Sequence, residues 1–287
     1  MRDITYPPIV LTASGFFRAF NIRFTLTGGE HLPRLGGAVL ARNHVSYFDF
    51  IFCGYAARPS KRLVRFMAKK STFDHAISGP LMRSMHHIPV DRAAGAASLD
   101  HAIDWLRQGE IVGVFPEATI SQSFEVKDFK SGAVRMAAEA GVPIIPMITF
   151  GGQRMWTKGH KREMTRGTLV ALTVGAPITV TEQDDPVEAT AHVRSVMQDL
   201  YEQTIEQYEP KPEPGAWWWP ARYGGSAPTL DEMREKERQD RAQREHVRPC
   251  IDLEAERGLW RQVAELALDH ALVGDLDLAL GLREPEV

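Results

Sequence analysis

The chain has almost no cysteine, no excess of basic charge and no apolar run long enough to cross a bilayer. Its two cysteines, Cys53 and Cys250, lie far apart and match no metal-site spacing. That usage suits a reducing compartment, where neither thiol needs a partner. With a formal net charge of −3 and a pI near 6.4, the chain lacks the basic footprint of a non-specific nucleic-acid binder. The longest uncharged stretches, 4–17 and 140–153, both contain proline. They fall short of the roughly 20 apolar residues a spanning helix needs. The N-terminus "MRDITYPPIVLTASGFF" also lacks the basic region, unbroken apolar core and cleavage site of a secretory signal. A soluble or peripheral protein is expected.

What remains is an ordinary globular composition, 44% hydrophobic and 25% charged. A length of 287 residues allows one large α/β domain with an extension, or two small domains. Val-, Ile- and Leu-rich segments at 22–28, 37–42, 63–70, 87–90, 111–115, 143–150 and 169–175 read as strands. Helical patterns at 46–57, 72–85, 95–108, 131–141 and 186–208 fall between and after them. In "SGAVRMAAEAG" Ser131 can cap the start, and Gly141 closes the end. Continuous apolar strands alternating with helices predict an α/β fold, with a central, mostly parallel sheet flanked by helices. The boundaries expected are a domain over 1–208, a Pro/Gly/Trp-rich linker over 209–228 and a helical C-terminal extension over 229–287. Within the extension, "TLDEMREKERQDRAQREH" has six acids and five bases, the pattern of a solvated helix laced with opposite charges.

One pattern repeats. A histidine precedes an aspartate by five residues at His44/Asp49, His86/Asp91 and His270/Asp275. Chance alone supplies about one such motif in a chain of this kind. His270 sits in a helical pattern, where positions five apart point about 140° away from each other. His86 and Asp91 flank the short strand "HIPV", so extended chain holds them roughly 16 Å apart. His44 differs, because it follows the buried-type strand "GAVLAR" and precedes a helix. The carboxyl edge of an open α/β sheet is where ligands bind. Ser46 and Asp49 also resemble a capping box. The segment therefore supports two compatible readings. Asp49 caps a helix, or it orients His44 as a general base by accepting one imidazole N–H.

A second edge segment is "IVGVFPEATISQSFE". Phe115 and Pro116 end the strand, leaving Glu117, Ala118 and Thr119 exposed at the same kind of edge. A carboxylate and a hydroxyl held there suit the orientation of a hydroxyl acceptor. An ordinary polar loop reads the same way.

Together, "NHVSYFD" and "FPEATIS" resemble the first and third signature blocks of the glycerolipid acyltransferases of the lysophosphatidate acyltransferase type, N-H-x-x-x-x-D and F-P-E-G-T-R-S. "FMAKKSTF…HHIPVDR" and "FKSGAVRMAAEAGVPIIPM" fit two further blocks in order, and the likeness covers about 15–208. The resemblance implies acyl transfer from acyl-CoA or acyl-carrier protein to a lysolipid hydroxyl, 1-acylglycerol 3-phosphate first, with no metal or other cofactor. It implies His44 as general base, Asp49 as its orienting partner, backbone N–H groups near these turns as oxyanion donors, and Phe115, Pro116, Glu117, Ala118 and Thr119 around the acceptor. It also implies phospholipid biosynthesis on the cytoplasmic face of a membrane, with no nucleic-acid partner.

Two positions depart from the pattern. Ala118 replaces the family glycine, and Ile120 replaces the arginine associated with the acceptor phosphate. Isoleucine cannot make a bidentate phosphate contact. The candidate substitutes are Lys69 and Lys70, in a run with Arg58, Lys61, Arg62 and Arg65, and Lys130 beside a helix start. For membrane contact the candidates are Phe16, Phe17, Phe20 and Phe24 with Arg18 and Arg23, and Trp217, Trp218 and Trp219, although core packing accounts for aromatics equally well. Two rival readings are a lipid-binding relative without turnover, and a His-Asp hydrolase using Ser121 or Ser123, for which no G-x-S-x-G elbow is present.

Overall fold

A computed structural model describes residues 5–76, 78–91 and 95–246. His270, Asp275, Cys250, Arg92 and the extension beyond 246 lie outside them.

The described chain runs α1 (Tyr6–Ala19), β1 (Arg23–Thr27), β2 (Ala38–Arg42), α2 (Asp49–Ala56), β3 (Val64–Lys69), α3 (Lys70–Asp74), α4 (Ser78–Ser84), β4 (Ile88–Val90), α5 (Gly95–Arg107), β5 (Ile111–Val114), α6 (Gly132–Ala140), β6 (Ile144–Phe150), β7 (Leu169–Val174), α7 (Pro186–Gln207) and α8 (Leu230–His246). The strands form one seven-stranded sheet in the order β1-β7-β6-β2-β5-β3-β4. Every neighbouring pair is parallel except β6 and β7. This is the mostly parallel sheet expected from the alternation, and the carboxyl ends of β2, β3, β5 and β6 share one edge.

The strand sequences account for the layering. Every residue of β2, β5, β6 and β7 is buried, as continuous apolar runs require. Along β2, Val39 and Ala41 join the core under α5, α6 and α7, while Ala38 and Leu40 join the core under α1 and α2. That alternation is the two-residue period of a strand with helices on both faces. Edge strand β1 alternates between exposed and half-buried positions instead.

Three local expectations are corrected. The helix expected over 72–85 is two helices, α3 and α4, broken at His75, which is extended. Pro80 lacks an amide donor and fits only the first turn of α4. Ser131 precedes α6 but makes no capping bond, although Gly141 closes that helix at φ 65° as expected. Finally, α2 begins at Asp49 rather than Ser46, so Asp49 is its first residue and not its third. Ser46 still serves this turn, since its Oγ accepts the Phe48 amide at 3.1 Å.

The aromatic segments pack inward in part. Phe17 of α1 is buried, and Phe24 stacks on Tyr55 with centroids 3.9 Å apart. Trp219 is buried against Phe150 and Tyr208, and its indole N–H donates to the Tyr223 carbonyl at 3.0 Å. Segment 209–228 therefore folds back onto the core under α7 and delivers α8 across the carboxyl edge of the sheet.

Candidate active site

The first block leaves β2 through three residues with separate tasks. Arg42, the last residue of the strand, is fully buried, and its guanidinium donates to Thr149 Oγ1 at 2.8 Å. Asn43 exchanges two hydrogen bonds with the Thr149 backbone, at 2.8 and 3.0 Å, continuing the β2–β6 ladder by side chain. The chain then turns, and Asp49 comes back beneath His44. Its Oδ2 accepts from His44 Nδ1 at 2.9 Å, Val45 N at 2.7 Å and Ser46 N at 2.8 Å. Asp49 Oδ1 lies 3.2 Å from the Arg42 guanidinium. A buried carboxylate needs such compensation, and the start of α2 adds the favourable end of a helix dipole.

This arrangement sets the imidazole. With Nδ1 donating to Asp49, Nε2 is left as the acceptor nitrogen. The ring packs on Phe115, with centroids 4.1 Å apart, and is about one-fifth exposed. Among the described residues, Asp49 is its hydrogen-bond partner. In the second described motif His86 packs on Trp105, and the Asp91 amide donates to Ser98 Oγ of α5 at 3.2 Å.

The third block meets the first directly. A turn over 115–118 is closed by the Ala118 amide donating to the Phe115 carbonyl at 3.0 Å, and the Ser121 amide donates to the His44 carbonyl at 2.7 Å. The amides of Val45, Ser46, Ala118 and Ser121 are thus all committed and supply no oxyanion donor. Ser121 and Ser123 are buried and bonded to each other at 3.0 Å, and Ser121 also donates to the Glu125 carbonyl. Neither is placed as a nucleophile against His44.

Glu117 is the unusual group. It is buried, and among the described residues neither carboxylate oxygen has a hydrogen-bond partner. Burial pushes its pKa up to about 8, against the opposing pull of the Lys127 charge and nearby amides. Asp49 adds to the rise, which sets Glu117 within electrostatic reach of the His44–Asp49 pair.

Ala118 adopts φ 62°, the left-handed region in which a Cβ is unfavourable. The glycine of the resembled block is explained by that backbone. Ala118→Gly is expected to raise the unfolding free energy by roughly 0.5–1 kcal/mol, the strain relieved less the entropy glycine adds to the unfolded chain. Urea denaturation of the two proteins measures it, and a less stable variant would refute the strain argument.

The acyltransferase family model matches residues 23–149, a span containing both blocks. A 1-acyl-sn-glycerol-3-phosphate acyltransferase of Bacillus subtilis is 32% identical over 154 residues, covering 50% of this chain and 75% of the relative. The chain belongs to the glycerolipid acyltransferase family. A Limnanthes douglasii acyltransferase of the same description is 31% identical over 147 residues, and there the match spans half of each protein. Among solved structures, the 1-acyl-sn-glycerophosphate acyltransferase PlsC of Thermotoga maritima shares the fold, with a TM-score of 0.59 at 21% identity over 71% of this chain and 81% of that one.

This acyltransferase distributes its cations differently from the sequence-based expectation. Arg62 donates to the carbonyls of Pro33 and Gly36, and buried Arg65 pairs with Glu110 at 3.3 Å and donates to the Met85 carbonyl. Both hold the fold. Lys70 pairs with Asp74 at 2.8 Å, while Lys69 and Lys130 are exposed at the carboxyl edge. The cation brought to Thr119 is Lys127, whose Nζ donates to Thr119 Oγ1 at 2.5 Å. Ile120 is buried. Sequence reading passed over Lys127 and Arg42 alike. For Arg42 a signal existed, a lone charge closing an otherwise apolar strand.

Proposed function

We propose that this acyltransferase moves a fatty acyl group from a thioester, acyl-CoA or acyl-carrier protein, to the free hydroxyl of 1-acylglycerol 3-phosphate. The observation that carries this reading is the His44–Asp49 pair, oriented by a fully buried carboxylate and facing the loop of Glu117 and Thr119. The acceptor oxygen attacks the thioester carbonyl as its proton passes to His44 Nε2. The imidazolium is stabilised by Asp49, and the tetrahedral adduct collapses as the C–S bond breaks. His44 then returns the proton to the departing thiolate. No covalent enzyme intermediate is required, because the thioester is already activated.

The substrates also support a peripheral place on the cytoplasmic face of a membrane, in phospholipid synthesis. No described helix is long and apolar enough to cross a bilayer. However, α1 turns Leu11, 65% exposed, and Arg18 outward and contains no acid, which fits an interfacial helix. Purified protein supplied with radiolabelled palmitoyl-CoA or palmitoyl-acyl-carrier protein, and a panel of lysolipids and polyols, tests the reaction. Labelled phosphatidate supports it. Lipid binding without product from either donor would favour a non-catalytic relative.

A further inference from the structure

The arginine of the resembled block is Ile120 here, so an anionic acceptor needs another cation. Lys127 is placed to be that cation. Its side chain is 7% exposed, and its Nζ lies 2.6 Å from Glu237 Oε1 and 2.5 Å from Thr119 Oγ1. Thr119 donates to the same Glu237 oxygen at 3.1 Å. One carboxylate oxygen is thus bound by an ammonium and a hydroxyl, the donors an anion of a lipid headgroup would use. Lys127 also lies close enough to Glu117 to oppose the effect of its burial, which joins this pair to the rest of the site.

The carboxylate is delivered by α8, whose hold on the loop is mostly polar. Met233 is buried beside Ser121, and ion pairs join Arg234 to Asp128 at 3.0 Å and Lys158 to Asp240 at 3.9 Å. A cleft of about 390 Å³, lined in part by Gln122, Ala227, Met233 and Lys236, opens beside this contact at the start of the helix. Exposed ion pairs hold weakly and yield to competing ions. A phosphate monoester, with more charge and more acceptor oxygens than a carboxylate, is a fitting competitor.

We propose that Lys127 and Thr119 form the anion subsite for the acceptor's phosphate, and that Glu237 fills this subsite until the acceptor displaces it. The proposal rests on the acyl-transfer reading for its substrate, and its test separates the two. Wild type, Lys127→Met, Lys127→Arg and Glu237→Gln are assayed with 1-lauroylglycerol 3-phosphate and with uncharged 1-lauroylglycerol. Binding of the phosphorylated acceptor is titrated separately without any acyl donor.

Lys127→Met is expected to lower the ratio of kcat/KM for the charged over the uncharged acceptor at least tenfold, and Lys127→Arg to restore most of it. Glu237→Gln is expected to lower KM for the charged acceptor threefold or more. Equal losses on both acceptors mark a structural lysine and overturn the proposal, as does an unchanged ratio. A higher KM in Glu237→Gln overturns the displacement. Binding that depends on Lys127, in a protein that transfers nothing, would leave the subsite standing and remove the acyl-transfer reading. Transfer that ignores Lys127 would do the reverse.

Discussion

Replacing His44 with alanine is expected to lower kcat for acyl transfer by about 10²–10⁴-fold, the usual contribution of a positioned general base. The fold should survive. His44 is partly exposed, and its loss leaves Asp49 bonded to Val45 N and Ser46 N and paired with Arg42. The buried charge therefore keeps its compensation, and the variant should unfold within about 1 kcal/mol of wild type, as is usual for a partly exposed site. Asp49→Asn is the informative contrast. It removes a charge from beside a fully buried guanidinium, a type of change that costs about 3–5 kcal/mol. Single-turnover rates with radiolabelled palmitoyl-CoA, read beside urea denaturation, separate the two cases. A His44→Ala protein within threefold of the wild-type rate would return His44 to being a helix-start residue.

The layers of the fold were legible because burial dictates composition. A strand covered on both faces must be apolar throughout, so "PIIPMITF" and "LVALTVG" announce β6 and β7. The first block was legible as a place, the turn leaving β2, but its chemistry could be read two ways. Capping and catalysis use the same Asp49 oxygen, and the structure has that oxygen accept two amides and the imidazole together. Partners distant in sequence were not legible. Arg42 bonds Thr149 from 107 positions away, and Lys127 meets Glu237 across 110. Nothing local marks either pair, since each is made only when the sheet and α8 bring remote segments together. Nor could local pattern show that Trp219 packs on Phe150 and Tyr208, because an aromatic run beside prolines serves a surface or a core equally well.

Glu117→Gln is expected to stabilise the protein at alkaline pH while damaging its activity. In the folded chain burial raises this carboxyl to about 8, against an ordinary value of 4.5. Between those two values the folded state holds a proton that the unfolded state has released. Stability therefore falls as pH rises through the window, because fewer protons are bound on unfolding. Above it, the wild type carries the net cost of a buried carboxylate, roughly 5 kcal/mol as an upper bound from the shift. Glutamine matches the protonated acid in shape and cannot ionise. The variant should match wild type near pH 4.5 and exceed it by about 2–4 kcal/mol at pH 8.5, allowing for partial relaxation around the charge. Its kcat/KM for the acceptor should fall about 10- to 10²-fold, the worth of a hydrogen bond to a charged group. The opposed directions are the point, since a residue kept for packing would lose stability and activity together. Urea denaturation at the two pH values, with acceptor kinetics at pH 8.5, decides it. A variant no more stable than wild type at pH 8.5 would mean that Glu117 finds a partner in the folded protein, and that its burial is not held in reserve for the acceptor.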